Sequence, residues 1–234
     1  MIGFPFVFDP YIIILIPGLI LAVYAQFKVK STFAKYSRVR AQSGITGAQV
    51  AKRLLEEAGI HDVSVELTGG HLSDHYDPRK KALRLSQEVY NGASLASLGV
   101  AAHETGHAIQ HDRGYIPLNI RAMFVPVAQL GSTMAFPLFL IGLFMNSGWL
   151  LWAGIYLFTA VVLFQVVTLP VEFNASSRAL EVLQSGGYIS PDEAGGARKV
   201  LNAAALTYVA AAIMGLLQLV RLLLLSGVLG RRDD

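Results

Sequence analysis

The sequence predicts an α-helical integral membrane protein: four transmembrane helices and a small α+β domain held on one side of the bilayer. Three observations lead there. Of 234 residues, 53% are hydrophobic and only 15% charged, well below the roughly one quarter of charged residues in a soluble domain. The charges are segregated, crowding into 28–121 and 172–199 and leaving long stretches almost bare. Four apolar runs each approach the roughly twenty residues a helix needs to cross the hydrocarbon core. The chain therefore divides into a first transmembrane helix (1–27), a polar domain (28–121), a transmembrane hairpin (122–169), a second polar segment (170–202), a fourth transmembrane helix (203–226) and a tail (227–234).

The first run, Phe4 to Phe27, contains Pro10 near its start and Pro17 where a bend is expected. A cleaved signal peptide fits it poorly, because no Lys or Arg precedes the apolar stretch and no small-x-small site follows. Lys28, Lys30, Lys35, Arg38 and Arg40 come directly after it. The positive-inside rule then places that end in the cytoplasm and the N-terminus outside, in the cell (plasma) membrane. The net charge of +3 is read as membrane orientation, and no nucleic-acid partner is expected.

Within the polar domain, Thr46 and Gln49 form a capping box that opens a helix over about 47–58, buried through Val50, Leu54 and Leu55, and Gly59 ends it. Asp62 to Leu67 alternates as a strand, and Leu83 with Leu85 suggests a second. Between them GGHLSDHYDPRK reads as a turn-rich loop that offers His71, His75 and Asp77 as polar candidates.

The next helix, about Ser94 to Gln110, carries AAHETGHAIQH. His103 and His107 are one helical turn apart, so they share a face, with Glu104 beside them. Two imidazoles and a carboxylate at this spacing are half of a zinc hydrolase site. A random chain this long contains the pattern only about once in a hundred trials, and Ala101 and Ala102 let the helix lie close against its neighbours. The competing reading is a pair of hydrogen-bonded core histidines. Gly114 and Pro117 are expected to close the element.

Ala122 to Met145 has no charged residue, and Asn146, Ser147 and Gly148 form a short turn into a third run ending at Leu169, with Trp149 and Trp152 at its start. So short a turn makes an antiparallel hairpin. The chain thus returns to the histidines' side of the membrane before Glu172, the next acid downstream. Zinc wants a third protein ligand and an open position. There is no Cys and the hairpin holds neither acid nor His, so Glu172, on a helix expected to start after Pro170, is that ligand. His111, one turn past His107, is left as a supporting or surface group. Ser190 and Pro191 look like another helix start, and the fourth span, about Ala203 to Leu225, carries Gln218 and an Arg221 expected to snorkel. The tail, with Arg231 and Arg232, would lie outside.

Over nearly its whole length the chain resembles the YugP-type zinc-dependent membrane peptidases: through the first anchor, SGITGAQVA, GGHLSDHYDPRKKALRLS, AAHETGHAIQH and VEFNASSRA. More distantly it is similar to the HtpX and CAAX-prenyl endopeptidases. The resemblance implies a zincin-like domain of gluzincin type, with His103, His107 and Glu172 as ligands of one catalytic zinc and Glu104 as base. In the distant relatives the Glu-Phe-x-Ala segment continues with Asp where this chain has Ser176, which touches the support behind a histidine.

The expected activity is metalloendopeptidase hydrolysis of membrane or membrane-proximal proteins on the cytoplasmic face, with Glu104 as general base. Arg178 and then His75 are the candidates to stabilise the oxyanion. An extended peptide is expected along the strand near Leu83 to Leu85. The alternative is a zinc-stabilised membrane scaffold or adaptor without turnover, and a membrane-protein adaptor is a candidate partner; a transporter is disfavoured because the charges lie near the ends of the apolar runs.

Overall fold

The structure, a computed structural model, describes residues 9–227. The start of the first predicted span and Arg231 and Arg232 of the tail lie outside them. The described chain forms two compact units, one of 9–24, 120–168 and 208–227, the other of 25–119 and 169–207.

The first unit is helical. A 3-10 segment, Pro10–Leu15, leads into α1 (Ile16–Tyr36), and Asp9 caps the segment by accepting from the Tyr11 N–H. The unit also holds most of α5 (Ile116–Phe144) and parts of α6 (Gly148–Ser185) and α7 (Pro191–Leu225). These four helices are long and apolar enough to cross a membrane. Ile13, Ile20, Met123 and Trp149 are each more than 60% exposed, an arrangement that suits lipid and would be costly in water. The helices approach closely at small residues: a Cβ on Gly131 would stand 2.6 Å from the Leu157 carbonyl oxygen, and one on Gly154 2.7 Å from that of Ala135. Trp152 stacks on Tyr156. Arg221 departs from expectation. Instead of snorkelling alone, its guanidinium pairs with Asp9 and bonds Gln218, because a charge that is largely buried is stable only when paired.

The second unit is α+β, as predicted. The capping box at Thr46 opens α2 (Gly47–Glu57), with Val50, Leu54 and Leu55 buried. A three-stranded sheet follows, ordered β1-β3-β2, from β1 (Ser64–Thr68), β2 (His75–Asp77) and β3 (Ala82–Ser86). β1 runs parallel to β3 and β2 antiparallel to it. A short α3 (Gln87–Tyr90) precedes α4 (Leu95–Asp112), whose N-cap is Ser94. Val65, Leu83, Leu85 and Tyr76 face the helices and pack on Ala101, Ala108 and Ile109.

Four expectations change. Leu83 and Leu85 lie on the central strand, bonded on both edges, so an added peptide has no edge there; β2 is the available antiparallel edge. Pro170 does not start a new helix, since α6 runs through it. The helix opened at Pro191 likewise continues into the fourth span. At Pro117 the chain is already in the first turn of α5, where the missing N–H is tolerated.

Candidate metal centre

α4 brings His103 and His107 to one face, with the rings edge-to-face and their centroids 4.8 Å apart. α6 passes close beside it. Gly106 makes this approach feasible, because a Cβ there would stand 3.1 Å from the Ala175 carbonyl oxygen. One turn earlier on α6 is Glu172, 2% exposed. Its Oε2 lies 3.3 Å from His103 Nε2 and 3.6 Å from His107 Nε2. All three side chains offer a donor atom within 4.8 Å of the others. Donor atoms held about 2.1 Å from a shared tetrahedral centre stand about 3.4 Å apart. Two imidazoles and a carboxylate at that spacing fit zinc, in a chain with no thiol to compete.

Behind the ring of His107 lies a buried polar string. His107 Nδ1 is 3.0 Å from Gln110 Oε1, while Gln110 Nε2 donates to the Val171 carbonyl and to Asn174 Oδ1. Those two acceptors fix which end of the amide is which. Its oxygen must therefore accept from Nδ1–H, and the lone pair of His107 stays on Nε2, facing Glu172. Arg178 Nε donates to the same Asn174 oxygen, 2.9 Å away. For His103 the support is Ser176, whose hydroxyl is 3.2 Å from Nδ1. The hydroxyl that replaces the expected carboxylate thus still reaches its imidazole.

The Glu104 side chain is partly exposed and makes no hydrogen bond to another described residue. Burial disfavours a cation at His107, but the hydrogen bond to Glu172, the Glu104 charge and Gln110 outweigh it and raise the imidazole pKa. Asp74, at the foot of β2, also senses Glu104. Burial, helped by that charge, pushes its carboxyl up against the hydrogen bonds from the Ser86 N–H and hydroxyl.

The other sequence candidates stand apart. His75 pairs in register with Arg84, on the sheet face opposite Tyr76, so it points away from α4; its Nδ1 bonds the Ser73 carbonyl. His71 pairs with Glu88, and Asp77 accepts from Arg84 and from the Arg79 and Lys80 N–H groups. His111 bonds the Tyr76 hydroxyl rather than joining the metal cluster. Gln110 and Asn174 were missed. Gln110 sits three residues after His107, a spacing that could have flagged it.

Two partly buried histidines and a buried carboxylate, on a chain with four helices long and apolar enough to span a membrane, define a class: a multi-pass membrane zinc peptidase. The family model described as "Putative neutral zinc metallopeptidase" matches residues 11–227, and the chain belongs to that family. It is 49% identical over 224 residues to "Putative membrane protease YugP" of Bacillus subtilis (strain 168), covering 96% of this chain and 99% of that protein. No solved structure matches it.

Proposed function

We propose that the chain is a metalloendopeptidase cleaving membrane or membrane-proximal proteins, with His103, His107 and Glu172 holding one catalytic zinc. The convergence of those three donors carries the reading. When bound, zinc supplies Lewis acidity toward a carbonyl and acidifies water. The chain's own residues do the rest. Glu104, unencumbered beside the histidines, takes a proton from the attacking water and delivers it to the leaving amine. Gln110 and Ser176 hold the imidazoles with Nε2 inward. Arg178, whose Nε is anchored on Asn174, keeps its Nη donors for the developing oxyanion. An extended substrate adds to the outer edge of β2, whose other edge is taken by β3. Residues 28–121 and 170–202 form the zincin-like, gluzincin-type domain of this reading, facing the cytoplasm.

Glu104→Gln tests it. Glu104 is not among the three donors, so the variant should keep its zinc while losing peptide hydrolysis by about a hundredfold or more. Metal content is measured beside turnover of a substrate found by comparing membrane proteomes. Equal proteolysis by variant and parent would refute Glu104 as base, and retained cellular function without turnover would favour the scaffold.

A further inference from the structure

We propose that a basic cavity at the foot of α1 binds the phosphate-bearing headgroup of an anionic phospholipid. This goes beyond the peptidase reading and does not depend on it. The cavity measures about 710 Å³ and lies within the second unit, between the end of α1, the segment after it and the N-terminus of α4. Lys30 and Ala34 stand at helical spacing on one face of α1, and Ser37 follows in the turn just after it, its N–H bonded to the Phe33 carbonyl, so the three line one wall together. Phe33, 3% exposed, gives that wall an apolar floor. Arg38 and Arg40 form the opposite lip. Backbone bonding fixes that lip: Ala41 N–H donates to the Ala93 carbonyl, Leu95 N–H to the Val39 carbonyl, and Arg40 bridges Ser94.

The charges at this cavity do not balance. Lys30, Arg38 and Arg40 have no carboxylate within ion-pair distance among the described residues. The one acid of the lining is Glu88, which lies 3.1 Å from His71 Nδ1, so three cations face a single carboxylate. Three cations around one opening, with the serine hydroxyl of Ser37 beside them, suit a phosphodiester. Location favours a lipid over a free anion. Phe27, 71% exposed, stands on α1 just before Lys28 and Lys30, so the cations begin where lipid-facing apolar surface ends, at headgroup level. The far wall includes Ser94 and Ser97 of the first turn of α4, so a bound headgroup would hold the metal-bearing helix at the membrane surface.

The test uses the full-length protein in detergent, with lipid retention followed by native mass spectrometry during titration with phosphatidylglycerol or phosphatidylcholine. Each cation near an anionic lipid is worth roughly fivefold in affinity. The parent should prefer phosphatidylglycerol by about tenfold or more, and Arg38→Gln with Arg40→Gln should erase most of that preference. Lys30→Gln alone should reduce it about fivefold. Lys52→Gln with Arg53→Gln, which removes two exposed cations of α2 outside this lining, should leave it intact. The thermal melting curve of every variant reports folding independently. Equal retention of the two lipids, or equal losses in both double variants, would overturn the proposal. Displacement of phosphatidylglycerol by millimolar inorganic phosphate would identify a free phosphate site instead, and binding of a poly-glutamate peptide without lipid preference would identify an acidic peptide groove; either result overturns the lipid assignment.

Discussion

Glu172 concentrates the chemistry of this chain into one side chain. A carboxylate only 2% exposed would be strongly destabilising without positive or metallic partners, and both histidine Nε2 atoms face it. Glu172→Ala should therefore cost zinc affinity by orders of magnitude, and Glu172→Asp should impair it by withdrawing the oxygen about 1.5 Å. Glu181→Ala, at an exposed position of the same helix, should do neither. Chelator-competition titrations give the affinities. Anomalous scattering from zinc-loaded crystals gives the ligands, and density joining the metal to His71 or His111 in place of Glu172 would defeat the assignment. One layer further out, Gln110→Ala should lower zinc affinity about 10- to 100-fold by releasing the His107 tautomer. Unchanged affinity would show that the amide is only a packing element.

Among the elements, the meeting of α4 with α6 decides whether the donors converge. Gly106→Val would push a branched side chain toward the Ala175 carbonyl, 3.1 Å from even a bare Cβ, at a cost of about 1–3 kcal/mol. Both the melting temperature and zinc affinity should fall. Gly99→Ala is the control: its Cβ would meet nothing nearer than 3.9 Å, at Ala197, so stability should hold or rise. The metal helix was legible in the sequence because its signals are local: a turn between His103 and His107 within an unbroken helical run, although the role of Ser94 as its N-cap comes only from the structure. β2 was not. Three residues have no periodicity to read, and His75–Asp77 becomes a strand only by pairing with β3. The role of Gln110 was not legible either: its i+3 spacing from His107 is a local cue, but its burial is imposed by α6, whose Val171 lies 61 residues further along the chain. The continuity of α6 through Pro170 was hidden for a related reason, since proline forbids one backbone bond and long apolar helices tolerate that loss when packing compensates.

For the whole molecule, continuous helices change how the topology is argued. α6 has 38 residues, about 57 Å at 1.5 Å per residue, against a hydrocarbon core about 30 Å thick. About 27 Å of it therefore exceeds the core, and the charged residues Glu172, Arg178 and Glu181 mark the second half as the part outside it. α7, with 35 residues, has the same excess at its start, where Asp192 and Glu193 stand. The proposed arrangement has four crossings, both termini outside, and the cationic run after Phe27 in the cytoplasm with the metal ligands. The absence of native cysteine makes labelling clean. Lys35→Cys, Asn146→Cys and Asp192→Cys all replace exposed residues, so accessibility to an impermeant thiol reagent should report the side of the membrane and little else. In intact cells only Asn146→Cys should react, and permeabilisation should expose the other two. Reaction of Lys35→Cys or Asp192→Cys from outside would reverse the orientation. Opposite outcomes for Lys35→Cys and Asp192→Cys would mean an odd number of crossings between the histidines and Glu172, which would separate the third ligand from the other two and sink the metal assignment with the topology.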